Sequence, residues 1–179
     1  MNTTRKLMLI GFLLVTCIGC DQTTKHIART SLQMSAPQSF LNDFLRLQYA
    51  ENPGGMMSLG AELSEDARFW FLTVFVGCLL CGMLLFTLFA RRLSALQIAA
   101  LTLVVGGGFS NLLDRVHNDG YVVDFLNVGL GGLRTAIFNI ADVLIIVGTA
   151  LLLLASPLHA RRSQHVVSEQ TPDDPREEA

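Results

Sequence analysis

Two aspartates stand where a carboxylate is costly. Asp142 interrupts the apolar run from Thr135 to Leu158, with Asn139 three residues before it. Asp124 comes near the end of Gly106 to Phe125, GGGFSNLLDRVHNDGYVVDF, in which Asn111, Asp114 and Arg115 close another apolar run. An aspartate at the centre of a membrane helix costs about 2.5–3.5 kcal/mol on the insertion scale, so such groups face a protein interior, a partner or water. Counted from Thr135, Asp142 lies about 10 Å along a helix that also carries Asn139 on the same face. Asp124 falls in the loop just outside the same membrane edge, so the two carboxylates can meet. Two acids sharing a site do not easily ionise together; one proton is retained and the pair titrates as a unit. One ionised and one protonated carboxyl can activate a water and polarise an amide carbonyl. The same residues admit two other readings. The acids can pair with Arg115 or cap helices, with no chemistry at all. Asp142 can also carry a proton or cation in a transport protein.

The elements that must position these acids follow from hydropathy. Hydrophobic residues make up 51% of the 179-residue chain and charged ones 16%, away from the soluble average. Four apolar runs are expected to span a membrane: residues 7–25, 69–90, 93–113 and 135–158, within a single four-helix membrane domain, 1–158. Only helices or closed barrels satisfy their backbone in lipid, and no alternating ten-residue strands appear, so the fold class is an all-α membrane bundle. Residues 26–68 form the long polar loop. Within it FLNDFLRLQY suits a short strand, Asn52-Pro53-Gly54-Gly55 a turn, and ELSEDAR a short interfacial helix capped by Ser64. Gly106, Gly107 and Gly108 allow close helix packing or local unwinding. Residues 159–179, rich in acids and proline, are expected to be a disordered cytoplasmic tail. Arg5, Lys6, Arg91, Arg92, Arg161 and Arg162 concentrate in short segments on one side, which places both termini inside. Asp21, Asp114, Asp124 and Asp142 then gather toward the outer leaflet.

Other candidate chemistry is weaker. Cys17–Cys20 and Cys78–Cys81 form two CxxC pairs, but each lies inside an apolar helix at a different depth. Buried apolar cysteine is the expectation there, with no metal and no cofactor. Asp21 and Lys25 are one helical turn apart, which suits an ion pair; Lys25 can equally snorkel to headgroups. Arg5 and Lys6 before an apolar run ending in Gly19-Cys20 also resemble a leader cut at Cys20, although the three further spans speak for a retained helix. The net charge of −2 gives no reason to expect nucleic acid, and no phosphate loop or GxSxG is present.

Taken in order, DQTTK at residues 21–25, Asn52 with Gly54, GGGFSNLLDR with GYVVDF, and FNIADVLIIVG resemble prolipoprotein signal peptidase, the type II signal peptidase family of bacteria. The resemblance implies four inner-membrane helices with a small extracytoplasmic β platform and the active site toward the periplasmic face. It implies an aspartic endopeptidase that cuts a signal peptide before a diacylglyceryl-modified cysteine, without metal, and that is inhibited by globomycin. Its partners would be lipid-modified prolipoproteins and membrane lipid. Asp124 and Asp142 fall on the family's catalytic pair. Asp21, Lys25, Asn52, Gly54, Gly107, Asn111, Arg115, Asn139 and Ala141 fall on its supporting or substrate-binding positions. Ser110 stands where the family usually has glycine, Met57 where an aromatic is usual, and Ala136 where a proline often precedes the FN pair.

Overall fold

The computed structural model describes residues 2–55 and 58–155. Met57, His159, Arg161, Arg162 and the expected tail lie outside the described residues. Helix α1 spans Thr3–Leu32, α2 Glu65–Phe89, α3 Ala95–His117 and α4 Ile140–Leu154. The first three are long and apolar enough to cross a membrane; the described part of α4 has 15 residues. Their outward side chains are apolar, and Phe12, Val15, Phe71, Phe75, Phe86 and Phe89 are all more than half exposed. The interior holds small and polar residues beside aliphatic ones such as Ile98 and Val105, as expected where lipid competes for apolar surface and packing drives association.

Helix α3 is the hub, and three successive glycines explain how. An added Cβ at Gly106 would meet Cys17 of α1 at 2.9 Å, one at Gly107 would meet the Ala141 carbonyl oxygen of α4 at 2.5 Å, and one at Gly108 would meet Leu80 of α2 at 2.5 Å. Successive helical positions point about 100° apart, so each glycine admits a different neighbour. The helix stays continuous through them; close packing, not unwinding, is their use.

Two boundaries differ from expectation. The ELSEDAR segment is not a separate interfacial element: Ser64 Oγ accepts from Ala67 N, and the turn Glu65–Arg68 runs directly into α2 through a π-helical stretch, Phe69–Phe75. Helix α4 starts at Ile140 rather than Thr135. The segment before it is held beside the sheet, where Phe138 N donates to Leu126 O at 2.8 Å and Phe138 O accepts from Phe125 N and Leu126 N. Asp142 therefore lies in the first turn of α4, not two turns inside it.

The sheet is antiparallel in the order β1 (Gln38–Phe40), β2 (Leu45–Asn52), β3 (Val122–Leu130), β4 (Leu133–Arg134). FLNDFLRLQY makes two strands and not one. Leu41, Asn42 and Asp43 turn through positive φ of 56°, 54° and 69°, a conformation that Asn and Asp tolerate best among side-chain-bearing residues. Leu45 pairs with Val128 and Asn52 with Val122, and a bulge between Leu47 and Ala50 shifts the register between them. Phe125 joins Ala28 and Leu32 of α1 in a small core that seats the platform on the bundle.

Candidate active site

The register of β2 on β3 makes the first contact. Asn52 pairs with Val122, so it lies diagonal to Asp124 on the same face. Its Nδ2 donates to Asp124 Oδ2 at 2.9 Å. Its Oδ1 accepts from Gly54 N at 2.9 Å, closing the expected turn. Gly54 is there for space: a Cβ would sit 2.6 Å from the Ser58 carbonyl group.

The bridge between Leu126 and Phe138 then delivers Asn139 to the other oxygen of Asp124. Asn139 is fully buried; its Nδ2 donates to Asp124 Oδ1 at 2.7 Å and also lies 3.1 Å from Asn111 Oδ1. It is also the cap of α4. Asn139 Oδ1 accepts from Asp142 N at 2.9 Å while Asn139 N donates to Asp142 Oδ2 at 3.2 Å, a reciprocal capping box. The second Asp142 oxygen accepts from Asn111 Nδ2 at 3.0 Å. Two carboxyl groups from separate elements are thus held by one shared asparagine. Asp124 is 2% exposed. Burial pushes its carboxyl up to about 6; the neighbouring Asp142 pushes the same way, against hydrogen bonds from Asn52 and Asn139 and the charge of Lys25.

Beneath the pair lies a buried polar layer. Lys25 Nζ sits 2.7 Å from Asp21 Oδ2, 3.0 Å from Asp114 Oδ2 and 2.8 Å from Asn111 Oδ1. The expected local ion pair is present, and Lys25, at 3% exposure, does not snorkel. Asp21 Oδ1 accepts from Ala141 N at 2.8 Å, which ties α1 to the first turn of α4 where Gly107 lets α3 approach. Arg115 Nη2 donates to Gly54 O at 2.8 Å. Among the described residues it makes no ion pair with an acid.

All eleven residues singled out in the sequence therefore belong to one connected assembly. Gln22, Ser110 and Asp114 belong to the same assembly. Gln22 Nε2 donates to Asp114 Oδ1 at 2.8 Å and lies 3.0 Å from Ser110 Oγ, which donates to Asp21 Oδ2 at 2.7 Å. Asp114 Oδ2 also accepts from Val123 N, fixing the strand that carries Asp124. The signal was in the spacing. Gly107, Ser110, Asn111 and Asp114 repeat at i, i+3, i+4 and i+7, one face of a helix. Cys17 packs against Gly106, while Cys20, Cys78 and Cys81 are exposed and all four thiols are free.

A family model describing Signal peptidase (SPase) II matches residues 13–158. A lipoprotein signal peptidase of Polynucleobacter necessarius is 35% identical over 151 residues, covering 83% of this chain and 90% of that protein. One of Desulforapulum autotrophicum is 31% identical over 175 residues, covering 97% and 99%. A solved bacterial membrane enzyme, determined by the in meso method at 2.3 Å resolution, superposes with a TM-score of 0.69 at 25% identity, covering 85% of this chain and 87% of that one.

Proposed function

The chain belongs to the signal peptidase (SPase) II family, and we propose that it cleaves the signal peptide of diacylglyceryl-modified prolipoproteins with Asp124 and Asp142 as its catalytic acids. The single observation that supports this reading is Asn139, whose side-chain amide donates to the Asp124 carboxyl while its backbone N–H donates to that of Asp142, so that one residue holds both acids. The pair holds one proton between them. The ionised member takes a proton from water as it attacks the carbonyl before the lipidated cysteine, and the protonated member donates to the carbonyl oxygen. No metal or cofactor enters the step. Asn52, Asn111 and Asn139 aim the acids, Lys25 and Asp21 hold the first turn of α4 against α1, Gly107 lets α3 pack against that turn, and Arg115 with Gly54 shapes the approach for the peptide.

The apolar flanks of α1 to α3 suit a multi-pass protein of the bacterial inner membrane, with both termini cytoplasmic and the acids at the periplasmic edge. Globomycin, a cyclic peptide, is the expected inhibitor. Family membership favours peptidase action over transport of protons or cations by the same acids.

The test is incubation of the purified protein with a diacylglyceryl-modified precursor, with and without globomycin. Asp124→Asn and Asp142→Asn keep the shape of the side chain and remove its ionisable group. Each should reduce cleavage by at least about a thousandfold while the protein still inserts, in line with losing one of two groups that act as a unit. Substantial turnover by either variant would sink the dyad.

A further inference from the structure

Ser110 lies between α3 and α1, and its hydroxyl both donates and accepts across that contact. It lies on α3, is completely buried, and donates to Asp21 Oδ2 of α1 at 2.7 Å. Gln22 Nε2, 3.0 Å away, donates to the same hydroxyl, and so orients the Ser110 proton toward Asp21. Gln22 is itself held by Asp114 Oδ1 at 2.8 Å. Asp21 is the group that matters downstream. Its Oδ2 is shared between Ser110 and Lys25, and its Oδ1 accepts from Ala141 N, the backbone amide next to Asp142. An amide in the first turn of a helix has no partner within the helix, so what it finds outside decides how that turn sits. For Ala141 this partner is Asp21, as Asn139 is for Asp142.

Building on the catalytic reading above, we propose that Ser110, oriented by Gln22, is a positioning residue that acts through Asp21 to set the first turn of α4 and hence the placement of Asp142 against Asp124. Gly107 also brings the α3 backbone close against the Ala141 carbonyl oxygen, so the turn is packed as well as hydrogen-bonded. A side chain that moved Asp21 would therefore be felt at Ala141 and, one residue on, at Asp142. Small displacements of a reacting group are expensive in rate, of order a hundredfold for about 1 Å. Partial loosening through one lost hydrogen bond calls for less.

Ser110→Ala tests this with two independent readouts. In steady-state cleavage of a diacylglyceryl-modified precursor, kcat should fall about tenfold with KM within about twofold, because the substrate's own contacts are left in place. Gln22→Ala should give a smaller loss of the same kind, and the double variant no more than Ser110→Ala alone. In hydrogen–deuterium exchange of the detergent-purified protein, the peptide covering Ile140 to Val143 should exchange faster in Ser110→Ala while peptides of α2 are unchanged. An unchanged kcat with unchanged exchange overturns the proposal. So does exchange that rises throughout α1 and α3 with a matching loss of stability, since that marks general loosening. Should the wild-type chain fail to cleave, the exchange experiment still decides whether Ser110 anchors α4, separately from the peptidase reading.

Discussion

Asp124 and Asp43 occupy opposite ends of the same sheet and show what placement does to one side chain. Asp43, in the turn between β1 and β2, is 41% exposed and bonds Arg46 at 2.6 Å through each carboxyl oxygen, with Arg134 at 3.2 Å and Ser39 at 2.7 Å. Those hydrogen bonds, that of Arg46 first, hold its carboxyl well below the usual carboxylate range. Asp124 accepts from two neutral asparagines only, one on each carboxyl oxygen, and burial drives its carboxyl upward instead. Fewer bonds, uncharged donors and the loss of solvent all act in the same direction. The tip of the platform is built to keep a charge. The root keeps its carboxyl among neutral amides and away from solvent.

The largest structural contrast is between the bases that serve the two ends. Lys25 is buried between Asp21 and Asp114, whereas Arg46 is 38% exposed beside Asp43. Removing one partner of a buried ion pair leaves an uncompensated charge, typically at a cost of about 3–5 kcal/mol. Lys25→Met should therefore lower the thermal midpoint in detergent steeply and abolish cleavage, and adding Asp114→Asn should recover part of the stability. Arg46→Met should do little to either. Comparable losses at the two sites would erase the distinction between root and tip.

A middle-sized effect follows from the sign of the Asp124 shift. Burial pushes its folded carboxyl up to about 6 from an ordinary 3.8, so the folded state binds the proton more tightly than the unfolded chain. The stability this contributes is present below about pH 4 and lost as pH rises through about 6. The difference amounts to at most about 3 kcal/mol at roughly 1.36 kcal/mol per unit. Asp124→Asn cannot titrate. Between pH 4 and pH 8 the melting temperature of the wild type should therefore fall relative to that of the variant. Parallel pH curves for the two proteins would show that burial does not set the proton affinity of Asp124.

Much of the root was legible in the chain because its cost is visible there. A carboxylate inside an apolar run, as at Asp142, and a base one turn after an acid, as at Lys25, need an explanation wherever they fold. The capping role of Asn139 was less visible, since Thr135 to Phe138 is as apolar as the helix that follows. Only the bonds that Thr135 and Phe138 make to β3 show that this segment runs along the sheet before the helix begins. Long-range partners were not legible at all. Nothing local tells that Asp114 serves Lys25 and not Arg115, or that Arg115 turns to the Gly54 carbonyl. The tip misled for the opposite reason. Leu41 to Asp43 looks like strand by composition, yet three left-handed residues break it, supported by side-chain bonds from Asp43 that hydropathy does not register.

The smallest effect sharpens the contrast most, because it asks the tip to behave as an ordinary surface. Asp43→Asn removes the charge that faces Arg46 and Arg134 but leaves an amide that can still accept from Ser39. Since the folded carboxyl is lowered, the stability that Asp43 contributes is present above the usual carboxylate range and lost as pH falls below it, opposite to Asp124. Solvent and salt screen these groups, so that contribution is small. At neutral pH the melting temperature should change by no more than about 2 °C, and cleavage should match that of the wild type. Raising the salt concentration should shrink even that difference, while leaving the Lys25→Met defect in place. A large, salt-resistant loss in Asp43→Asn would mean that the turn reaches the acids through β2, and the tip would then belong to the catalytic assembly.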